Sequence, residues 1–321
     1  MRLFVTGGAG FIGSAFVRQV LDHSDDHVTV FDALTYAGNR ANLPEVTDDR
    51  CAFVHGDIAD REAVAAALPG HDAVVHFAAE SHVDRSLLDP DVFIRTNCLG
   101  TNVLCDEAVR AGVARFLHVS TDEVYGSIEL GSFRETDRLE PRSPYAASKA
   151  ASDQIALAYH ATHGLPVVVT RSSNQFGPRQ FPEKLIPLFV TNLLDGRRVP
   201  LYGDGLNVRD WLFVEDNCDA LRLVLADGEV GGIYNVAAGN ERTNRQVTDQ
   251  LLDLLGADVS MVEWVADRQG HDRRYSVATD RIEALGWRPR RDFDEALRET
   301  VEFYRDHRSW WEPLRERVRN R

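Results

Sequence analysis

Short apolar runs rich in β-branched and aliphatic residues recur through the first half of the chain, at Arg2 to Thr6, His27 to Asp32, Cys51 to His55, Asp72 to Phe77, Arg115 to Ser120 and Pro166 to Arg171. Helix-length stretches of mixed polarity lie between them. Apolar residues at successive rather than alternate positions predict strands covered on both faces, and the helical segments predict parallel crossovers. The expected fold is α/β, a Rossmann-type doubly wound parallel sheet. Beyond Arg171 the elements shorten. Turn sequences Gly177-Pro178, Tyr202-Gly203-Asp204-Gly205 and Ala238-Gly239-Asn240 separate helices predicted near Pro182 to Leu194, Glu215 to Ala226, Thr243 to Leu255 and Phe293 to His307. Residues 1–171 are expected to form one domain, completed by segments within about 206–236, and residues 172–321 mainly a smaller α/β domain. No repeat or flexible linker separates the two, so a cleft between them is the expected site.

Charge narrows the partners. With 36 basic and 50 acidic residues the chain carries a formal charge of −14, which argues against nucleic acid or an anionic membrane as a partner. No run approaches the roughly 18 apolar residues of a membrane span. The start, Met1-Arg2-Leu3-Phe4-Val5-Thr6, enters structure without a signal peptide, so a cytoplasmic location is expected. Cys51, Cys98, Cys105 and Cys218 form no CxxC pair and are expected to be buried thiols, with no metal site. All basic residues except Lys149 and Lys184 are arginine. The two exceptions are candidates for sites that need a compact ammonium rather than a planar guanidinium.

Thr6-Gly7-Gly8-Ala9-Gly10-Phe11-Ile12-Gly13 follows the first strand and opens a helix. Glycines at 7, 10 and 13 permit a tight turn, close approach of backbone N–H groups to a pyrophosphate, and tight helix–strand packing. Asp32 ends the next strand 19 residues past Gly13, where a carboxylate accepts from the ribose hydroxyls and opposes a 2′-phosphate, favouring NAD over NADP. The bland alternative is an ordinary βα turn beside a solvated Asp. Asp57-Ile58, after the third strand, reads equally as an adenine contact or as a helix-initiating Asp.

Tyr145 and Lys149 lie four apart on a helical stretch, Ser143-Pro144-Tyr145-Ala146-Ala147-Ser148-Lys149, and so share a face. A phenol, with an ordinary pKa of about 10, is a poor base at neutral pH unless a nearby cation stabilises phenolate, and Lys149 is placed to supply it. Thr121-Asp122-Glu123 follows the strand Phe116 to Ser120 at the sheet edge where such folds place ligands. On chemistry alone this is either a solvated polar turn or an acid/base pair.

These motifs, together with Phe77-Ala78-Ala79-Glu80-Ser81-His82-Val83-Asp84-Arg85-Ser86, Phe181-Pro182-Glu183-Lys184-Leu185-Ile186-Pro187, Arg209-Asp210-Trp211 and Gly270-His271-Asp272-Arg273-Arg274-Tyr275, resemble the dTDP-glucose 4,6-dehydratases among the extended short-chain dehydrogenase/reductases. The resemblance spans nearly the whole chain. It implies that Tyr145 removes the sugar 4-hydroxyl proton, that Lys149 activates it and meets the ribose, and that Thr121 hydrogen-bonds that hydroxyl. Glu123 then abstracts the C5 proton while Asp122 protonates the departing 6-hydroxyl. Phe11, Ile12, Ala78 and Ile58 join Gly7, Gly10, Gly13, Asp32 and Asp57 as cofactor contacts. Ser81, Asn174, Lys184, Leu185, Arg209, Asn244, Arg268, His271 and Tyr275 surround the substrate, although His271 and Tyr275 also read as surface and core residues. NAD as cofactor, dTDP-glucose as substrate and a homodimer follow from the same resemblance. Val103, Leu104, Ile155, Ala156 and Tyr159 are then expected as apolar surface for the dimer. The nearest rival is a nucleotide-sugar 4-epimerase or decarboxylase of the same fold, which has no use for the Asp122-Glu123 pair. Gln175, Arg179 and Gln269 depart from the family pattern.

Overall fold

The computed structural model describes residues 1–43 and 49–319. Twelve strands are present among them: β1 Arg2–Thr6, β2 His27–Asp32, β3 Cys51–His55, β4 Ala73–His76, β5 Arg115–Thr121, β6 Val167–Ser172, β7 Asn174–Phe176, β8 Val199–Tyr202, β9 Val208–Phe213, β10 Ile233–Val236, β11 Glu241–Thr243 and β12 Val262–Val265. Seven form one parallel sheet in the order β10-β6-β5-β4-β1-β2-β3. Chain order reverses between β1 and β4, and ligands bind outside the carboxyl ends of the strands at such a reversal. Apolar residues cover both faces. Val5, Val17, Val30, Val75, Val168 and Val224 pack on one side, and Phe4, Phe31, Val74, Leu104, Phe116 and Val169 on the other. A second core lies in the carboxyl-terminal half, built from Phe176, Phe189, Val247, Phe293, Tyr304 and Trp311.

Helix boundaries follow local chemistry. The helix Pro144–His163 starts where Ser143 accepts from Ala146 N at 3.1 Å with Pro144 in its first turn, and ends at Gly164 with φ 68°. The capping box Thr243/Gln246 sets the start of Asn244–Leu255. Leu185–Leu194 begins later than its apolar pattern suggests, because Phe181 O accepts from both Glu183 and Lys184 N and Lys184 stays extended.

One expectation is overturned. Val103, Leu104 and Ala156 are buried against the chain's own sheet rather than offered as surface. The outward apolar residues of the helical run from Val83 to Ala111 are Leu87, Leu88, Val92, Ile94 and Leu99. Cys51, Cys105 and Cys218 are buried free thiols, whereas Cys98 is only half-buried. Among the described residues no cluster fit for a metal and no membrane-crossing helix occurs.

Candidate active site

The glycine turn joins β1 to the helix Phe11–His23. Gly7 has φ 67°, and a Cβ there would lie 2.6 Å from the backbone nitrogen of Ala78, so no side chain fits. At Gly13 a Cβ would meet Gly7 O at 2.4 Å. Gly10 precedes the helix with no side-chain cap among the described residues, leaving the first-turn N–H groups of Phe11, Ile12 and Gly13 open to an anion. Asp32 accepts from Leu34 N at 2.8 Å and Ala9 N at 2.9 Å. Burial pushes its carboxyl up against the opposing pull of those two bonds. Asp57 does not start a helix, a task that falls to Asp60. Its side chain accepts from Ala59 N and pairs with Arg95 at 2.8 Å. Ile58 is buried against Gly100. An uncapped helix start behind a turn too tight for side chains, with a carboxylate at the end of β2, fits a dinucleotide.

At the end of β5, Thr121 caps the single turn Asp122–Tyr125 by accepting from Glu123 N at 3.3 Å and donates to Asp122 Oδ1 at 3.3 Å. Burial and Glu123 push the Tyr145 phenol up, with Thr121 pulling the other way. Lys149 donates from Nζ to Val119 O at 2.8 Å, and burial lowers it to about 8. The two carboxyls differ. Burial and Glu123 lift Asp122 well above the ordinary carboxyl range, with Asp210 adding to the rise and Arg209 alone opposing among the main charges. Burial also lifts Glu123, but Arg268, Lys184 and Arg209 all pull it down.

Four of the nine predicted substrate residues, Tyr275, Arg209, Lys184 and Arg268, face this pair. Tyr275 donates to Asp272 Oδ2 at 2.8 Å and to Glu123 Oε2 at 3.5 Å, with Arg209 stacked 4.1 Å over its ring. It is thus part of the carboxylate cluster, not only of the core. Arg209 donates to the carbonyls of Val208 and Asp272. Lys184 donates to Ser81 O at 2.7 Å, and Leu185 follows at the helix start. Arg268 donates to Asp84 at 3.4 Å, and His271 contacts Asp267 at 2.6 Å. Asn174 keeps a buried Oδ1 without a partner among the described residues, and Asn244 opens its helix beside Asn207. His76 bridges Thr6 and Thr101, and His82 caps Val83–Leu88, both structural tasks. Arg179 takes φ 67° and lies 5.2 Å from the Phe303 ring. Sequence reasoning missed Asp210 and Asp272, the buried carboxyls that press on Asp122 and Glu123, although both lie inside motifs already singled out.

The family model for GDP-mannose 4,6 dehydratase matches residues 4–300. A dTDP-glucose 4,6-dehydratase of Streptomyces antibioticus is 56% identical over 324 residues, covering 99% of this chain and 96% of that one. The chain belongs to the dTDP-glucose 4,6-dehydratase family. A solved member of that family from Streptomyces venezuelae, with NAD and TYD bound, superposes with a TM-score of 0.96 at 60% identity, covering 98% of this chain and 100% of the other. A Thermus thermophilus UDP-glucose 4-epimerase in complex with NAD gives 0.89 at 35% identity, covering 96% of this chain and 100% of the other. Dehydratases and epimerases therefore share this fold, and the side chains of the site must separate them.

Proposed function

We propose that this chain is an NAD-dependent dTDP-glucose 4,6-dehydratase, a lyase forming dTDP-4-keto-6-deoxyglucose, with Thr121, Asp122, Glu123, Tyr145 and Lys149 as its chemical group. The unequal environments of Asp122 and Glu123 beside Tyr145 carry this reading. NAD, when bound, takes hydride from C4 and returns it to C6. Tyr145 receives the 4-hydroxyl proton, with Lys149 one helical turn away to favour phenolate. Glu123, surrounded by three cations, takes the C5 proton made acidic by the neighbouring ketone. Asp122, kept protonated by burial, delivers a proton to the departing 6-hydroxyl. An epimerase needs neither. Gly7, Gly10, Phe11, Ile12, Gly13, Asp32, Asp57, Ile58 and Ala78 hold the cofactor. Residues 172–321 supply most of the contacts to the nucleotide sugar. A cytoplasmic location goes with this proposal.

Purified protein incubated with dTDP-glucose and no added NAD should yield the alkali-induced absorbance of a 4-keto-6-deoxy sugar. Denaturation should then release NAD. Recovery of an epimerised sugar, or of NADP, would overturn the reading.

Lys149 gives a pH prediction. Its ammonium, lowered to about 8, is lost as pH rises through that value, and Tyr145 loses its cationic neighbour. Turnover should fall along an alkaline limb near pH 8. A profile still flat at about pH 10, the range of an unperturbed lysine, would show that this charge is not used.

Two copies pair through the helical run from Val83 to Ala111, where Leu88 is 86% and Ile94 51% exposed. Light scattering at micromolar concentration should give twice the chain mass, and Ile94→Glu should reduce it toward one. A monomeric wild type would contradict this.

A further inference from the structure

Trp310 lies on the helix Arg308–Arg319, far along the chain from the glycine turn, yet a single side chain joins the two. Its indole Nε1 donates to Asn42 Oδ1 at 3.0 Å, and Asn42 Nδ2 donates to Ala9 O at 3.0 Å. An indole N–H only donates and a carbonyl only accepts, so the link needs a group that does both, as the Asn42 amide does. Asn42 is buried, and its backbone N–H donates to Asn39 O at 2.9 Å.

Three segments meet at Ala9, which sits between Gly8 and Gly10 in the turn that fits a pyrophosphate. Its carbonyl accepts from Asn39 N at 3.0 Å as well as from Asn42, and its N–H donates to Asp32 Oδ2 at 2.9 Å. Leu34 N donates to Asp32 Oδ1 at 2.8 Å, and a Cβ on Gly38 would lie 2.8 Å from that same oxygen, so the segment after β2 closes directly on the carboxylate. The helix packs on this segment too. Tyr36, Phe181 and Leu314 are buried in one apolar cluster, with Ala37 and Trp310 against it. Glycines on either side of Ala9 would leave a free turn many conformations, and a ligand that must order such a turn loses affinity in doing so. Bonded through both its N–H and its carbonyl, Ala9 is ordered beforehand.

We propose that Trp310 is a positioning residue for cofactor retention, holding the glycine turn and Asp32 in their binding form through Asn42. The role rests on the NAD reading above. Trp310 touches no reacting atom, so its loss should act on the hold on NAD and not on the chemistry at Tyr145.

Trp310→Phe removes the indole N–H, keeps a ring beside Phe303 and Tyr304, and leaves Asn42 Oδ1 buried without this donor. When the NAD-loaded protein is chased with isotopically labelled NAD, exchange should be roughly threefold to thirtyfold faster in Trp310→Phe than in wild type, the scale of a hydrogen bond lost from a buried polar group. Turnover of dTDP-glucose should fall as NAD is lost and recover when NAD is supplied in excess, with KM for dTDP-glucose unchanged. Asn42→Ala cuts the link from its other end and should speed exchange at least as much. The double variant should exchange no faster than Asn42→Ala alone, since both changes break one link. Exchange at the wild-type rate in Trp310→Phe, or additive effects in the double variant, would overturn the proposal, and a helix that only supports the fold predicts one or the other. Should Trp310→Phe fail to fold, wild-type exchange in Asn42→Ala overturns it equally. Wild type found to hold NADP or no dinucleotide would instead overturn the cofactor reading, a result distinct from NAD held equally well by wild type and variants.

Discussion

Replacing Tyr145 by phenylalanine is expected to lower turnover of dTDP-glucose by about 10²-fold or more, the scale of a lost positioned acid/base, while substrate affinity stays close to that of wild type. The substitution is conservative in packing. The ring lies edge-on to Phe93 at 6.3 Å between centroids, and phenylalanine preserves that contact. Only the hydroxyl is lost. Because burial opposes charge on this phenol, the residue contributes as a base only with a cation beside it, which ties the expected loss to Lys149 as well. Calorimetric titration with dTDP-glucose and steady-state rates on the same preparation separate binding from chemistry. Near-normal turnover would mean that another group removes the 4-hydroxyl proton.

The strands were legible because a strand buried on both faces must be written in continuous apolar residues, and the glycine turn because only glycine tolerates the backbone at Gly7. Helix starts were legible where a side chain makes them, as at Ser143 and Thr243. The late start at Leu185 was not, since it depends on the turn around Phe181. Periodicity finds an apolar face but not what covers it, and so Val103, Leu104 and Ala156 read as surface while packing on the sheet. Contacts between distant residues leave no local signature. Asp153, for example, accepts from Arg171 Nε at 2.9 Å and lies 3.2 Å from His118, forming a buried charged group behind Lys149 that no motif announces. The seven-residue π-helical stretch Ile94–Gly100, from which Asn97 donates to Ser148 Oγ at 2.8 Å, is equally silent in sequence.

Glu123→Gln and Asp122→Asn preserve shape and abolish proton transfer, so each should depress dehydration by about 10²-fold or more. They should differ in what survives. Glu123→Gln removes the base, so exchange of the C5 hydrogen with deuterated solvent should disappear along with product. Asp122→Asn leaves Glu123 in place beside Arg268, Lys184 and Arg209, and C5 exchange should persist while loss of the 6-hydroxyl slows. The acid variant has a further consequence. A 6-fluoro analogue of dTDP-glucose, whose leaving group departs without a proton, should be processed by Asp122→Asn much closer to the wild-type rate than dTDP-glucose is. No such recovery is expected for Glu123→Gln, because its missing step comes before departure of the leaving group. Mass spectrometry of the recovered sugar nucleotide reads both exchange and elimination. Wild-type dehydration by both variants would reduce the pair to a polar turn and return the epimerase reading to first place, since the shared fold accommodates either reaction.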